Sequence, residues 1–144
     1  MPVFTEPRSH WSINMSLEIT ERLAIENLLN RYCHCADYDP PESMRELFTA
    51  DAVFEIPAMS IRCEGIDNII AFFRSSREVN AGARHVISNV LIEGEGRAAN
   101  SSAYLQVIQT QGEGNSIAAV GRYVDQLHRD AGGWRLKHRT VVIG

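Results

Sequence analysis

A chain of 144 residues, 44% hydrophobic and 22% charged, reads as one ordinary globular domain, long enough to bury a core. Its net charge of −4 and the lack of a long basic block exclude nucleic acid as an expected partner. No apolar run approaches the roughly 18–20 residues needed to span a bilayer, so no membrane partner is expected either.

The opening 1-MPVFTEPRSHWSINM-15 carries no hydrophobic signal core. Residues 1–17 lack periodicity and contain Pro2, Pro7 and several Ser, which predicts an N-terminal arm ahead of a domain over 18–144. Thr20 is the expected N-cap of a first helix whose apolar face is Leu23, Ile25, Leu28, Leu29 and Tyr32, reaching Ala36 or Asp37. In 39-DPPE-42, Asp39 as N-cap and Pro at the first helical position predict a second, short helix through Met44, Leu47 and Phe48. The alternating 52-AVFEIP-57 predicts a strand, and Ile66, Ile69, Ile70 and Phe73 mark a third helix to about Glu78. From there the period becomes two, with strands expected over 84–93, 98–110, 116–129 and 133–143. The intervening 94-GEGR-97, 111-QGEGN-115 and 130-DAGG-133 have hairpin chemistry.

Helices followed by a long antiparallel meander define an α+β pattern: three helices against a curved, mainly antiparallel sheet, a cone-shaped barrel with an internal pocket. Several strands are apolar on both faces (Val86, Ile87, Val90, Leu91, Ile92). One face then lines the pocket and the other meets a second subunit, so a homo-oligomer, dimer or trimer, is expected.

The stretch 31-RYCHCADYD-39 concentrates Tyr, Cys, His and Asp. Cys33 and Cys35, two apart on a helix, point about 200° away from each other and cannot share a metal. Cys63, His34 and His85 complete no ligand pattern with them, so no metal is expected. Both sulfurs read as packing, and three cysteines, an odd number, build no disulfide framework, which points to the cytoplasm. Asp37 is different. It falls in the last turn of the first helix, where the macrodipole disfavours an anion, and an anion placed there needs a partner. Alternation along 84-RHVISNVLI-92 puts His85, Ile87, Asn89 and Leu91 on one face. Two polar groups among apolar ones is how a small-molecule pocket looks. Tyr32 and Asp37 project about 140° apart, with Cys33 and Ala36 between them. Near the C-terminus, Arg122, Asp125, Arg135 and Arg139 come together across a hairpin and read as cross-strand ion pairs on the exposed sheet.

The order helix–helix–strand–helix–meander, with Y-x₄-D ending the first helix and R-H-x₃-N in the next long strand, resembles the SnoaL-like branch of the nuclear-transport-factor-2-like superfamily over about residues 18–143. The ending 121-GRYVDQLHRDAGGWRLKHRTVV-142 resembles that branch's final hairpin. Its dehydratase members, among them scytalone dehydratase, bile acid 7α-dehydratase and hexachlorocyclohexane dehydrochlorinase, use an Asp–His dyad. The resemblance implies that Asp37 and His85 form such a dyad, with Tyr32 as the accompanying Tyr. The dipeptide 38-YD-39 also resembles the Tyr-Asp pair of scytalone dehydratase, so Tyr38 competes with Tyr32 for that role. A second catalytic His of that enzyme has no counterpart here; Tyr104 lies near its position.

The implied activity is a cofactor-independent lyase of the dehydratase type. It would act on a small hydrophobic hydroxylated or carbonyl substrate, with His85, Asp37 and Tyr32 catalytic and Asn89, Tyr38 and Tyr104 binding substrate. The rival expectations are a non-catalytic ligand-binding or assembly subunit and an isomerase or cyclase relying on an Asp base. The glycines of 94-GEG-96 and 112-GEG-114 belong to hairpin turns, so no nucleotide cofactor is expected.

Overall fold

The computed structural model describes residues 17–144. The expected N-terminal arm lies outside these residues except for Leu17, which is buried in the core. Helix α1 runs over Ile19–Asp37. A 3₁₀ helix, Pro41–Glu46, follows, then strand β1 (Phe48–Ile56), a 3₁₀ turn (Pro57–Met59) and β2 (Ile61–Glu64). Helix α2 is Ile66–Val79. Four long strands complete the chain: β3 (Ala83–Glu95), β4 (Ala98–Gln109), β5 (Ser116–Asp130) and β6 (Gly133–Ile143).

The six strands form one sheet in the order β2-β1-β6-β5-β4-β3. All neighbours are antiparallel except β1 and β6, which run parallel. The sheet is not closed, since β2 and β3 are its two edges. Both α helices pack on it, α1 mainly against β3 and α2 against β1, and the α+β class follows.

Several local expectations are corrected. Thr20 is inside α1, whose N-cap is Glu18. Asp39 does not cap the second helix; that helix starts at Pro41 behind Pro40 and is a 3₁₀ helix. Pro40, in the N-cap position, has no side-chain oxygen with which to cap the helix. The segment 61–64, to which the sequence pattern assigned no element, pairs with β1 as an edge strand, Phe54 opposite Cys63 and Ile56 opposite Ile61.

The core joins α1 and α2 to one face of the sheet. Its centre is aromatic: Tyr32 meets Phe48, Phe73 and Tyr123 edge-on at centroid distances of 5.4–6.1 Å, and Phe54 packs against Phe72 and Phe73. Such pairs add about 0.5–1.5 kcal/mol each beyond area burial. Cys33 and Cys35 are buried in this core, and the Cys35 thiol donates to Asp39 at 3.4 Å; His34 is exposed. Gly121 allows β5 and β6 to meet closely, because a Cβ there would lie 2.2 Å from the Val142 carbonyl oxygen.

Candidate active site

The last turn of α1 carries the first half of the site. Its exposed carbonyls are captured by α2: Arg77 donates to the carbonyl of Ala36 at 3.1 Å and also to those of Cys35 and Asp39. A guanidinium at a helix C-terminus complements the dipole and satisfies carbonyls that have no partner within the helix. That clamp sets the backbone from which Asp37 projects.

The second half comes from the start of β3. Asp37 Oδ1 lies 2.6 Å from His85 Nδ1. The same carboxylate accepts the His85 backbone N–H, at 2.9 Å to Oδ2 and 3.2 Å to Oδ1. The Asp37 side chain is 7% exposed and that of His85 22%. A carboxylate only accepts, so Nδ1 is the donor, and in the neutral imidazole the lone pair then lies on Nε2. Thus two residues 48 positions apart in the chain meet through a single carboxylate.

Both residues line a cavity of about 540 Å³ whose wall includes Tyr32, Ala36, Phe54, Phe72, Leu105, Val107, Tyr123 and Val141. Arg77 and Arg84 also line it. Size and mostly apolar lining are those of a small-molecule site.

Beneath the Tyr pair lies a charged group that the strand pattern assigned to the surface. Arg139 and Asp125 are fully buried, 0% exposed, and joined by two hydrogen bonds of 2.7 and 2.8 Å. Ser101 Oγ donates to Asp125 at 3.1 Å. The guanidinium carbon stacks 4.1 Å from the Tyr32 ring centroid and 3.9 Å from that of Tyr123. The expected exposed cluster is therefore split: Arg122 is exposed, Arg135 pairs with Asp130, and only Asp125 and Arg139 face inward. Burial opposes the Arg139 charge, but Asp125 outweighs it and holds the guanidinium protonated. Burial raises the Tyr32 phenol well above its ordinary range, with Arg139 opposing. Burial likewise raises Tyr123. Both hydroxyls stay protonated.

Of the residues singled out in sequence, Asp37, His85 and Tyr32 come together around the cavity. Asn89, Tyr38 and Tyr104 do not line it. Asn89 misses because β3 bulges: Ser88 pairs with Tyr104 and Leu91 with Ser102, one residue too many on β3. Asn89 takes up the bulge at φ 55°, a left-handed conformation that Asn tolerates. Beyond it the parity reverses, so Val90 and Ile92 pack on the core while Leu91 is 69% exposed. Tyr104 is exposed because its neighbours Ala103 and Leu105 take the inward positions of β4. Tyr38 is exposed and packs against Arg84. Arg77, Arg84 and Tyr123 are among the cavity residues that sequence reasoning missed. Tyr123 had a signal, since it shares the period-two face of Gly121, Asp125 and Leu127.

Helices on one face of an open six-stranded mixed sheet, with a cavity between, define the cystatin-like or nuclear-transport-factor-2-like class. Within it the chain belongs to the SnoaL-like domain family, which matches residues 17–140. No curated protein matches the chain significantly. Among solved structures, a Nostoc punctiforme protein of unknown function with a cystatin-like fold is 24% identical and covers 90% of this chain and 96% of its own, with a TM-score of 0.81. A Novosphingobium aromaticivorans protein provisionally assigned as a scytalone dehydratase is 24% identical over 88% of this chain and 85% of its own, with a TM-score of 0.76. A beta subunit of a provisionally assigned aromatic-ring-hydroxylating dioxygenase from the same organism is 26% identical over 88% of this chain and 92% of its own, with a TM-score of 0.73. Among the described residues no helix is long and apolar enough to cross a membrane.

Proposed function

We propose that this protein is a cofactor-independent lyase of the dehydratase type, acting in the cytoplasm on a small hydrophobic hydroxylated carbonyl compound. The observation that carries the reading is the 2.6 Å Asp37–His85 contact at the wall of a largely apolar cavity. In the proposed step, His85 Nε2 takes a proton from the carbon beside the carbonyl. The C–H electron pair becomes the new C=C bond as the β C–O bond breaks, and the departing hydroxide takes the abstracted proton from the His85 imidazolium to leave as water, which returns the imidazole to its neutral form. Asp37 holds the tautomer and stabilises the imidazolium. The protonated Tyr32 hydroxyl polarises the carbonyl or assists the departing hydroxide.

The test follows proton abstraction directly. The protein is incubated in D₂O with a panel of cyclic β-hydroxyketones, and loss of the α-proton signal and appearance of the enone are followed by NMR. His85→Gln is expected to lower both rates at least about a hundredfold. Exchange unchanged in that variant would shift the base to Asp37 and favour an isomerase instead.

A second reading, an assembly subunit, is favoured by one observation. The outer face of the sheet exposes Val86 and Leu91 on β3, Tyr104 on β4 and Val120 and Val124 on β5. Strand register makes these neighbours, with Leu91, Ser102 and Val124 in one row and Val86, Gln106 and Val120 in another. We propose that this face joins copies of the chain into a homo-oligomer.

A further inference from the structure

The cavity has an unbalanced charge. Elsewhere in the molecule several arginines are matched to acids, as in Arg45–Asp67, Arg74–Glu42, Arg129–Glu21 and Arg139–Asp125. The two arginines that line the cavity, Arg77 and Arg84, have no carboxylate partner among the described residues. Asp37 is the sole carboxylate among the cavity-lining residues, and His85 engages both of its oxygens.

The two guanidiniums differ in what they have left to give. Arg77 directs its terminal nitrogens to the carbonyls at the end of α1. Arg84 is built differently. Its Nε donates to the Tyr38 hydroxyl at 2.8 Å, its NH1 donates to its neighbour's carbonyl (Ala83) at 2.9 Å, and its guanidinium carbon sits 4.5 Å from the Tyr38 ring centroid. Tyr38 itself is 66% exposed, so this group stands on the solvent side of the cavity. The stacking and the Nε bond fix the plane of the guanidinium in advance, and no acid among the described residues pairs with it. A pre-oriented planar cation at the mouth of an apolar cavity matches a carboxylate, which an ammonium or a mobile Arg would hold less selectively.

We propose that the substrate of this cavity carries a carboxylate remote from its reacting carbon, bound by Arg84, with Tyr38 as the residue that positions Arg84. The proposal rests on the reading of the cavity as a substrate site and names the substrate class as hydrophobic carboxylic acids. It assigns Tyr38 a role through Arg84, although Tyr38 does not line the cavity.

The experiment is a calorimetric titration of the full chain with 2-naphthoate and with 2-naphthamide, which share ring and shape and differ in charge. Naphthoate is expected to bind at least about tenfold tighter, with the advantage shrinking as salt rises. Arg84→Gln should remove the advantage by weakening naphthoate far more than the amide, Arg84→Lys should retain part of it, and Tyr38→Phe should lower it without abolishing it. Equal affinities in the wild type, a preference that survives Arg84→Gln, or no binding of naphthoate would each overturn the proposal. The readout is equilibrium binding, so the outcome is separable from the lyase reading. Absent α-proton exchange with an intact charge preference defeats only the reaction, and equal affinities with intact exchange defeat only the carboxylate subsite.

Discussion

Asp37 holds His85 through the side chain and the backbone of the same residue, so ring orientation and strand position depend on one carboxylate. Asp37→Asn preserves shape and can still accept the backbone N–H, but its amide no longer enforces a hydrogen on Nδ1. Exchange in Asp37→Asn is expected to fall by at least about a hundredfold with little loss of stability, measured by the same D₂O assay beside a thermal melt. The neighbouring thiols report on packing. Burial pushes Cys33 up to about 11, and burial with the Asp39 carboxylate does the same for Cys35, against an ordinary 9. The unfolded chain therefore ionises these thiols first. Their contribution is complete below about pH 9 and is lost as pH rises toward 11. Melting temperature should drop across that window, and the drop should be shallower in a Cys33→Ala, Cys35→Ala variant.

At the level of elements, the β3 bulge decides which side chains reach the cavity. His85 and Ile87 precede it and face the helices, whereas Val90 and Ile92 resume the inward face only because Asn89 absorbs one residue. Asn89→Gly is expected to be neutral or slightly stabilising, since Gly adopts positive φ freely. Asn89→Val should cost about 1–2 kcal/mol, because a β-branched residue is strained there. Urea denaturation of the two variants checks this, and a destabilised Gly variant would mean that the Asn side chain matters more than its backbone.

At the level of the molecule, Arg139 and Asp125 are, among the described residues, the one ion pair with both side chains at 0% exposure. Removing one partner leaves an uncompensated charge in the core, so Asp125→Ala should lose about 3–5 kcal/mol. That is a large part of the about 5–15 kcal/mol that stabilises a typical domain. The double variant Asp125→Leu, Arg139→Met should recover much of the loss in the same denaturation experiment. The outer sheet face gives the other whole-molecule prediction. Light scattering should find more than one copy per particle in the wild type and a monomer after Val124→Glu with Tyr104→Glu. A wild-type monomer would remove the homo-oligomer proposal.

Periodicity alone determined much of this protein. The 3.6-residue pattern located α1 and α2, the two-residue pattern located the four long strands, and the hairpin glycines marked the turns between them. The Asp37 and His85 pairing was legible too, since an acid at a helix C-terminus needs a partner and strand alternation offered one. Only the tertiary structure decided the rest. Nothing local distinguishes a buried Arg139 from an exposed Arg122, because strand charge is read as solvent-facing unless a partner across the sheet makes burial tolerable. The Asn89 bulge was invisible for a related reason: a pairing register belongs to two strands, so one extra residue on β3 appears only once β4 is beside it. The cavity's unmatched arginines belong here as well. Charge balance at a site is a property of what the fold leaves unpaired, and Arg84 looks like any other strand arginine until Tyr38, 46 residues earlier in the chain, folds against it.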